Sequence, residues 1–341
     1  MEPKILEERF LAALKALVNP DGLKFLVAFS GGLDSTALLA LATASLGQER
    51  ILAAHLDHNL RPQSGQEAME AQAGATALGT PIKIGQAQVR ELAKKRGRGL
   101  EEAARVARYD FLGQTLTEWG GDYILTGHQA NDQAETILLK IIRGGGPSAL
   151  TGIRPRQGRV LRPLLGFSRE ELAGLIYARG LDFIQDPSND DLGFRRNHLR
   201  LKIWPELLNH NPALVGALGR TAQLALAEEE FWEDRVAQLA LNLAEPQPGG
   251  RIRVLAARLG ELALAEKRRL ALFLLRQTQI PGPAGGEPVP MAGVTRLLEF
   301  LGENRANGQG VDLPGGRRVE RRGLYLYIGP SSRLATSSGS E

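Results

Sequence analysis

The stretch LVAFSGGLDSTALLAL, residues 26–41, decides the fold of the first part of the chain. The apolar run at 26–29 predicts a buried strand, and residues 36–41 predict the interior of a helix. Gly31 and Gly32 lie at the junction, where the backbone must turn sharply and approach a neighbour closely. Free backbone N–H groups and the helix dipole point outward at such a junction, so the stretch predicts a phosphate-binding loop.

The composition restricts the chemistry that the chain can support. Its 341 residues, 43% of them hydrophobic, suit one large or two ordinary domains. No apolar run approaches the roughly 20 residues of a membrane span. The first ten residues, MEPKILEERF, predict an amphipathic helix and lack a signal-peptide pattern. We therefore expect a soluble cytoplasmic protein. The absence of cysteine excludes disulfides, thiolate metal sites and iron–sulfur clusters, and the net charge of +4 does not by itself indicate a nucleic-acid partner.

Strands and helices alternate up to about residue 145. Predicted strands at KFLVAFS, ILAAHLDH, PIKIGQAQV and DYILTGH are separated by the helical patterns DSTALLALATASLG, GQEAMEAQAGATALG and GLEEAARVARYDFLGQTLTEWG. This alternation predicts an α/β fold with a doubly wound parallel sheet, covered by helices on both faces. Ligands bind beyond the carboxyl ends of such strands, so we expect Ser30, His58 and His128 around one crevice.

The remainder of the chain is mostly helical in pattern. Ser168 and Glu171 form a capping-box pattern, and Asn211-Pro212 predicts the start of a long helix. EPQPGG reads as a linker, and GVDLPGGRRVERRGLYLYI predicts a β-hairpin. We therefore predict an α/β domain at 1–210, a connecting helix at 211–245, a smaller helical domain with this hairpin at 246–330 and a disordered tail at 331–341.

The loop SGGLDS carries the first candidate site. It lacks the lysine of a Walker A motif, so no lysine is placed to hold the β- and γ-phosphates of a nucleotide. Ser30 and Ser35 can donate to phosphate oxygens, whereas Asp34 would repel phosphate unless a Mg²⁺ ion lies between them. The alternative is a plain helix cap, formed by Ser30 or Asp34 after the glycine turn.

Two further segments place polar residues at predicted strand or helix ends. AHLDHNLRP groups Asp57 and His58 at a strand end, which suits a metal site or an ordinary turn. In LTGHQANDQAETILL, Asp132 and Glu135 share one helix face beside His128. This pair suits a metal ion or a cationic amine, although acids also suit any helix N-terminus.

Arginines are concentrated in DPSNDDLGFRRNHLRLKIWPEL, residues 186–207. Arg196 and its neighbours suit a contact with ATP phosphate or with an RNA backbone. A solvated helix face is the alternative.

The segments FSGGLDST, HLDHNLR, LEEAARVARYDFL, TGHQANDQAETILL, RPLL…REEL and DPSNDDLGFRRNHLR occur in this order, and the set resembles the bacterial tRNA(Ile)-lysidine synthetase family of PP-loop N-type ATP pyrophosphatases. The resemblance covers most of residues 24–210 and is weaker at VDLPGGRRVERRGLYLYI. It implies a ligase that uses ATP, Mg²⁺ and free lysine to convert the wobble cytidine of the CAU anticodon of tRNA(Ile) to lysidine. AMP and pyrophosphate would be released.

The resemblance also implies roles for individual residues. Asp132 and Glu135 would hold the lysine amines and help to deprotonate the nucleophile, and His128 would assist at the phosphate or the base. Arg196 would steady the α-phosphate or the adenylated oxygen. The ATP cradle, in which Asp34 is the Mg²⁺ ligand, would consist of Ser30, Gly31, Gly32, Leu33, Asp34 and Ser35.

Other positions receive roles on the same basis. Either Arg105 or Arg108 would face the crevice, and Arg108 is included among the catalytic residues. Asp57 and His58 are assigned to the adenosine side. Four arginines flank the predicted hairpin and would contact tRNA phosphates; the alternative is a charged face exposed to solvent. They are Arg317, Arg318, Arg321 and Arg322.

One position departs from the pattern of many PP-loop tRNA enzymes, which carry two successive acids as H-x-x-D-D. Here the pair is Asn131-Asp132. Asparagine can cap a helix or coordinate through its carbonyl, but it cannot act as a base. The acid role therefore falls to Asp132.

Three other functions are weighed against this one. A tRNA thiolase is disfavoured because the chain has no cysteine. A small-molecule PP-loop amide ligase would not need the basic helical second half, and a non-catalytic ATP-binding regulator would not need the acid pair. We expect no membrane partner, and a homodimer stays open because the sequence does not define an oligomeric state.

Overall fold

The structure is a computed structural model that describes residues 2–59, 64–97, 99–185, 193, 195–278, 289–302 and 306–331. The predicted acidic turn DPSNDD and the predicted tail beyond residue 331 lie outside these ranges. Contacts divide the chain into two compact units, Met1–Leu226 and Ala227–Glu341. Within the described ranges, no helix has both the length and the apolar character that a membrane crossing requires.

The first unit contains a six-stranded sheet in the order β3-β2-β1-β4-β6-β5. All neighbouring strands are parallel except β5 and β6. The strands are β1 (Phe25–Ala28), β2 (Ile51–Asp57), β3 (Ile82–Gln86), β4 (Tyr123–Leu125), β5 (Arg156–Gln157) and β6 (Val160–Leu161). The helices are α1 (Pro3–Lys15), α2 (Leu33–Leu46), α3 (Ser64–Ala77), α4 (Val89–Arg96), α5 (Leu100–Trp119), α6 (Ala130–Ile142), α7 (Arg169–Ala178), α8 (Arg195–His198), α9 (Trp204–His210) and the long α10 (Leu214–Leu243), which crosses the division between the units.

Helices cover both faces of this sheet, as the alternation predicted. Side chains of β1 point to opposite faces in turn, because successive residues of a strand alternate. Phe25 and Val27 belong to a core formed with α1, α2, α3 and α7, and Leu26 packs on the other face with Leu112 and Leu116 of α5. All five side chains are at most 2% exposed, and the burial of each contributes roughly 1.5–3 kcal/mol.

The strand order positions one edge of the sheet for ligand binding. Val27 of β1 lies opposite Ala53 of β2 and Leu125 of β4, so three strand ends are neighbours. The chain proceeds from β1 to β2 and β3 on one side and places β4 on the other. The order therefore reverses between β1 and β4, which is where open α/β sheets bind ligands. The predicted residues that follow these three strands are Ser30, His58 and His128.

The second unit contains a five-stranded antiparallel sheet in the order β7-β8-β11-β10-β9. Its buried face, which includes Val254, Val319 and Ile328, packs with Leu270 and Leu297 of two helices. The predicted hairpin is confirmed as β10 and β11. The strands are β7 (Ala244–Gln247), β8 (Arg251–Leu255), β9 (Gly310–Leu313), β10 (Arg317–Arg322) and β11 (Tyr325–Pro330), and the helices are α11 (Ala256–Glu261), α12 (Leu264–Gln277) and α13 (Met291–Gly302).

The prediction of a linker at EPQPGG is wrong. The segment forms the edge strand β7 and the turn into β8. Gly249 and Gly250 make this turn at φ values of +74° and +68°. Pro246 is tolerated because an edge strand does not need every backbone N–H for pairing.

Candidate active site

The loop from Ser30 to Ser35 joins β1 to α2 and is held by its own hydrogen bonds. The hydroxyl of Ser35 donates to the carbonyl of Gly32 at 2.9 Å and lies 3.0 Å from the Ser30 hydroxyl. Gly31 has a φ of +80°, and a Cβ there would lie 2.4 Å from Cδ1 of Ile184. The Ile184 N–H donates to the Gly31 carbonyl at 2.9 Å, which closes the loop from outside. The Gly32 N–H donates to the Ser30 hydroxyl at 3.4 Å, so Ser30 satisfies one free N–H after the glycine turn, as the helix-cap alternative predicts.

Asp34 lies in the first turn of α2 with an unsatisfied carboxylate. Its Oδ1 is buried and has no hydrogen-bond partner among the described residues, and its Oδ2 lies 3.5 Å from NH1 of Arg169. The pKa of Asp34 is raised to about 6. Burial is the largest cause, the charge of Arg169 opposes it, and the charge of Asp132 adds to it. A buried oxygen without a donor suits a cation ligand, so the residue fits a metal-binding role.

Two acids of α6 and two arginines form a compact cluster at the same edge. Arg196 donates 2.7 Å bonds to both Asp132 and Glu135. Arg200 binds Glu135 through both carboxylate oxygens, at 2.7 and 3.0 Å. The remaining Asp132 oxygen accepts from the backbone N–H of Gln129 at 3.1 Å. All four carboxylate oxygens therefore have donors, and the Glu135 side chain is only 2% exposed.

The arginines converge because of the local helix geometry. Arg196 lies in α8, and Arg200 lies in the π-helical turn Leu199–Ile203 that follows. Single π-helical turns are frequent at functional sites. The resemblance implies a role for Arg196 at the α-phosphate or the adenylated oxygen. In this structure its guanidinium binds Asp132 and Glu135.

Arg108 contacts His58 at the end of β2, whereas Arg105 contacts the Tyr109 ring. NH2 of Arg108 lies 3.3 Å from Nε2 of His58, whereas Arg105 lies over the Tyr109 ring at 5.2 Å. Burial, with a contribution from Arg108, lowers the pKa of His58 to about 4. The neutral ring accepts at Nε2 and carries its proton on Nδ1, which is buried without an acceptor in the described part of the chain.

His128 is also neutral at pH 7. Its Nδ1 lies 3.0 Å from the Thr126 hydroxyl, and burial and several nearby arginines lower its pKa to about 3. Its contribution to a site is therefore a neutral hydrogen bond. The charges of Arg108 and Arg196 both act on it, so the ends of β2 and β4 and the acid cluster belong to one region.

Asp57 has a local structural role. Its Oδ1 accepts from the N–H of Asn59 at 2.7 Å, and Asn59 is a left-handed residue with a φ of 47°. Its Oδ2 lies 3.4 Å from Nε2 of Gln86. This is the ordinary strand-end alternative, and no group of three His, Asp or Glu residues with metal-site geometry occurs in the described ranges.

Sequence patterns assigned no role to two residues at this edge, Arg169 and Gln129. Arg169 contacts Asp34, as described above. Gln129 is fully buried at the N-cap of α6, where its Oε1 accepts from the Asn131 N–H at 2.6 Å. Nε2 of Gln129 and Oδ1 of Asn131 are buried without partners among the described residues. Arg200 belongs to the arginine cluster that the sequence indicated, and it follows Arg196 by four positions in RRNHLR.

The arginines predicted to contact tRNA lie in the second unit, and the prediction is wrong for one of them. Arg317 is only 4% exposed, and its NH1 donates to the carbonyl of Pro314 at 2.9 Å. Its burial excludes a phosphate contact. Arg318 and Arg322 are partly or largely exposed, and each pairs with a carboxylate of the same sheet at 3.0 Å. The Arg321 side chain donates to the Gly323 carbonyl at 3.4 Å and forms no ion pair with a carboxylate in the described part of the chain.

Comparison with known proteins identifies the family of the chain. The PP-loop domain model matches residues 6–207. The tRNA(Ile)-lysidine synthase of Thermus thermophilus is 40% identical over 307 residues, which are 89% of this chain and 56% of the relative. The enzyme of the same name from a Methylobacterium species is 35% identical over 300 residues, which are 81% of this chain and 86% of the relative. The chain belongs to the PP-loop domain family and, within it, to the tRNA(Ile)-lysidine synthase family.

The chain differs in length from several relatives, and it also superimposes on a solved structure. The chain spans about half the length of the Thermus thermophilus relative and 62% of that from Alkalilimnicola ehrlichii. Among solved structures, a U34-tRNA thiolase from Methanococcus maripaludis superimposes with a TM-score of 0.54 at 18% identity, over 65% of this chain and 79% of that chain. At that identity the likeness concerns the fold alone.

Proposed function

We propose that the chain adenylates the C2 oxygen of the wobble cytidine in the CAU anticodon of tRNA(Ile) and then joins free lysine to C2. The observation that carries this proposal is the acid–arginine cluster beside a PP-loop whose Asp34 is unsatisfied, in a chain of this family. Acids that face a nucleotide loop suit an amine substrate, and a protein that only binds ATP has no use for them.

The proposed reaction has two balanced steps. First, the C2 oxygen bonds to the α-phosphorus of ATP, and pyrophosphate leaves with the electron pair of the broken phosphorus–oxygen bond. Second, the ε-nitrogen of lysine bonds to C2, and AMP leaves with the electron pair of the C2–oxygen bond. The nitrogen loses one proton before it attacks and another as AMP departs. A base is therefore required at the amine, and Asp132 and Glu135 are the acids proposed for this role.

The cluster supports an exchange of Arg196 for the substrate amine. All four carboxylate oxygens have donors, so departure of one arginine would give an ammonium direct access to carboxylate oxygens. Arg196 gives one bond to each acid and is 39% exposed, whereas Arg200 binds Glu135 twice. When Arg196 leaves, Glu135 keeps a bidentate partner. Arg196 then becomes available for the charge that develops at the α-phosphate.

The remaining residues have supporting roles in this proposal. Oδ1 of Asp34, which is buried and has no partner among the described residues, would hold Mg²⁺, which neutralises phosphate charge when bound. Nδ1–H of His58, which has no acceptor within the described ranges, can donate to an acceptor of the adenosine. His128, neutral at pH 7, can hydrogen-bond the phosphate or the base without adding charge.

The test combines the purified chain with ATP, Mg²⁺, labelled lysine and a tRNA(Ile) transcript that carries a CAU anticodon. We expect lysine label in the tRNA with equal release of AMP, and no label in methionine tRNA. AMP release without label in any tRNA would favour a small-molecule ligase. ATP binding without AMP release would favour a regulator.

A further inference from the structure

Helix α7 begins at the same edge as the PP-loop and runs alongside α2 in the same direction. At the start of both helices, NH1 of Arg169 lies 3.5 Å from Oδ2 of Asp34. Further along, NH1 of Arg179 donates to the carbonyl of Ala40 at 3.1 Å. The two contacts place both helix N-termini at the loop. Each N-terminus carries a partial positive charge, so this edge favours anions.

Arg169 is the first residue of α7, where its charge opposes the helix dipole. A cation at this position costs local helix stability, and residues that contradict a local preference are expected at functional sites. Its side chain is 45% exposed, and its ion pair with Asp34 is long. Arg196 and Arg200, in contrast, hold their carboxylates at 2.7–3.0 Å. Arg169 is therefore the weakly held guanidinium beside the loop.

We propose that Arg169 binds the β- and γ-phosphates of ATP and then the departing pyrophosphate. It would supply the cation that SGGLDS lacks in place of a Walker lysine. This assignment rests on the use of ATP in the proposed function. Asp34 is the carboxylate that Arg169 contacts in the described ranges, so a cation on Asp34 would release the guanidinium toward phosphate oxygens. Its planar fork can bind two of these oxygens at once.

Calorimetric titration with ATP, AMP and inorganic pyrophosphate, each with Mg²⁺, tests the assignment. We expect Arg169→Gln to weaken the binding of ATP and pyrophosphate by about 10- to 100-fold, the range typical of a lost charge-assisted bond. The affinity for AMP should stay the same, which also controls for folding. Arg169→Lys should recover part of the loss. The matched control is Arg258→Gln, which removes an exposed arginine with a 3.7 Å ion pair to Glu261 in the second unit.

Three outcomes would overturn the assignment: unchanged pyrophosphate affinity in Arg169→Gln, equal losses for AMP and ATP, or a wild-type chain that binds no ATP. The first two leave the proposed function standing, and the third removes both. If the wild-type chain binds ATP and pyrophosphate but transfers no lysine, the proposed function fails. The binding data for Arg169→Gln then still decide its role.

Discussion

Replacement of Asp34 by asparagine is expected to stabilise the folded first unit at neutral pH. Burial raises the pKa of Asp34 to about 6, from an ordinary value of 3.8. The folded state thus binds the proton more tightly than the unfolded state, and stability falls as the pH rises from about 4 through about 6. At pH 7.5 the folded protein holds a charge that its surroundings disfavour. Asparagine has nearly the same shape and removes that charge.

The size of the effect follows from the pKa difference of about two units, since each unit corresponds to about 1.36 kcal/mol. The penalty in the wild type is then about 3 kcal/mol at pH 7.5 and about 1 kcal/mol at pH 4.5. Asp34 keeps 24% of its side chain exposed, and its long contact with Arg169 is lost in the variant. We therefore expect a net gain of ~1–2 kcal/mol at pH 7.5.

Urea unfolding followed by tryptophan fluorescence measures this gain. Trp119 and Trp204 lie in the first unit and Trp232 in the second, so a Trp232→Phe background restricts the signal to the first unit. The free energy of unfolding is compared between Asp34→Asn and its parent at pH 4.5, 6.0 and 7.5. Asp122→Asn is the matched control. It removes a carboxylate that accepts the Lys24 N–H at 2.9 Å, so no stabilisation is expected.

The pH dependence decides whether the reasoning holds. A gain of the same size at pH 4.5 and pH 7.5 would assign the effect to something other than ionisation. A loss of stability at pH 7.5 would refute the buried-charge explanation directly. The variant should also lose ATP turnover, because strained charge at an active site is retained for function at the expense of stability.

Three further variants test other parts of the site. Glu135→Gln leaves Arg196 and Arg200 short of a charge partner, and we expect urea unfolding to show a loss of about 1–3 kcal/mol and lysine use to fall more than adenylation. Gly31→Ala imposes a left-handed φ on alanine and drives its Cβ into Ile184, so calorimetry should show a loss of ATP binding. Arg321→Ala combined with Arg322→Ala should weaken tRNA binding and reduce the slope of log affinity against log salt by about 1–2.

Each of these variants has an outcome that contradicts the expectation. Equal losses of adenylation and lysine transfer in Glu135→Gln would remove the acid from the amine site. Normal ATP affinity in Gly31→Ala would show that the loop tolerates a side chain. An unchanged salt slope would leave Arg321 and Arg322 as surface charge.

The α/β unit was predictable because its strands have distinct local patterns. Short apolar runs that end at turn residues define β1, β2 and β4, and the helix patterns between them define the parallel connections. The strands β5 and β6 have two residues each and carry no pattern. Proline and glycine at 245–250 suggested a linker, because composition does not distinguish a loop from an edge strand that ends in a glycine turn.

Residues that follow strand ends, and acids that share a helix face, could be named from the sequence. Ser30, His58 and His128 are placed by the sheet itself. Arg169 contacts a residue 135 positions earlier, and Arg200 contacts one 65 positions earlier, so no local pattern records either pairing. The prediction for Arg317 was wrong because its local sequence was misleading. It stands among residues that resemble a solvent face, and its burial depends on the fold around it.

Arg196 and Arg200 follow the last strand of the first sheet in the sequence, and this order has a consequence for synthesis of the chain on the ribosome. A nascent chain that ends at residue 170 already contains the PP-loop, the acid pair and every strand of the first sheet. It lacks the N–H of Ile184 that closes the loop and the two guanidinium groups that neutralise Glu135. Burial of an uncompensated carboxylate costs several kcal/mol, so we expect the region around Glu135 to complete its packing only after residue 200 has left the ribosome. The family match ends at residue 207, shortly after the last of these contacts is supplied.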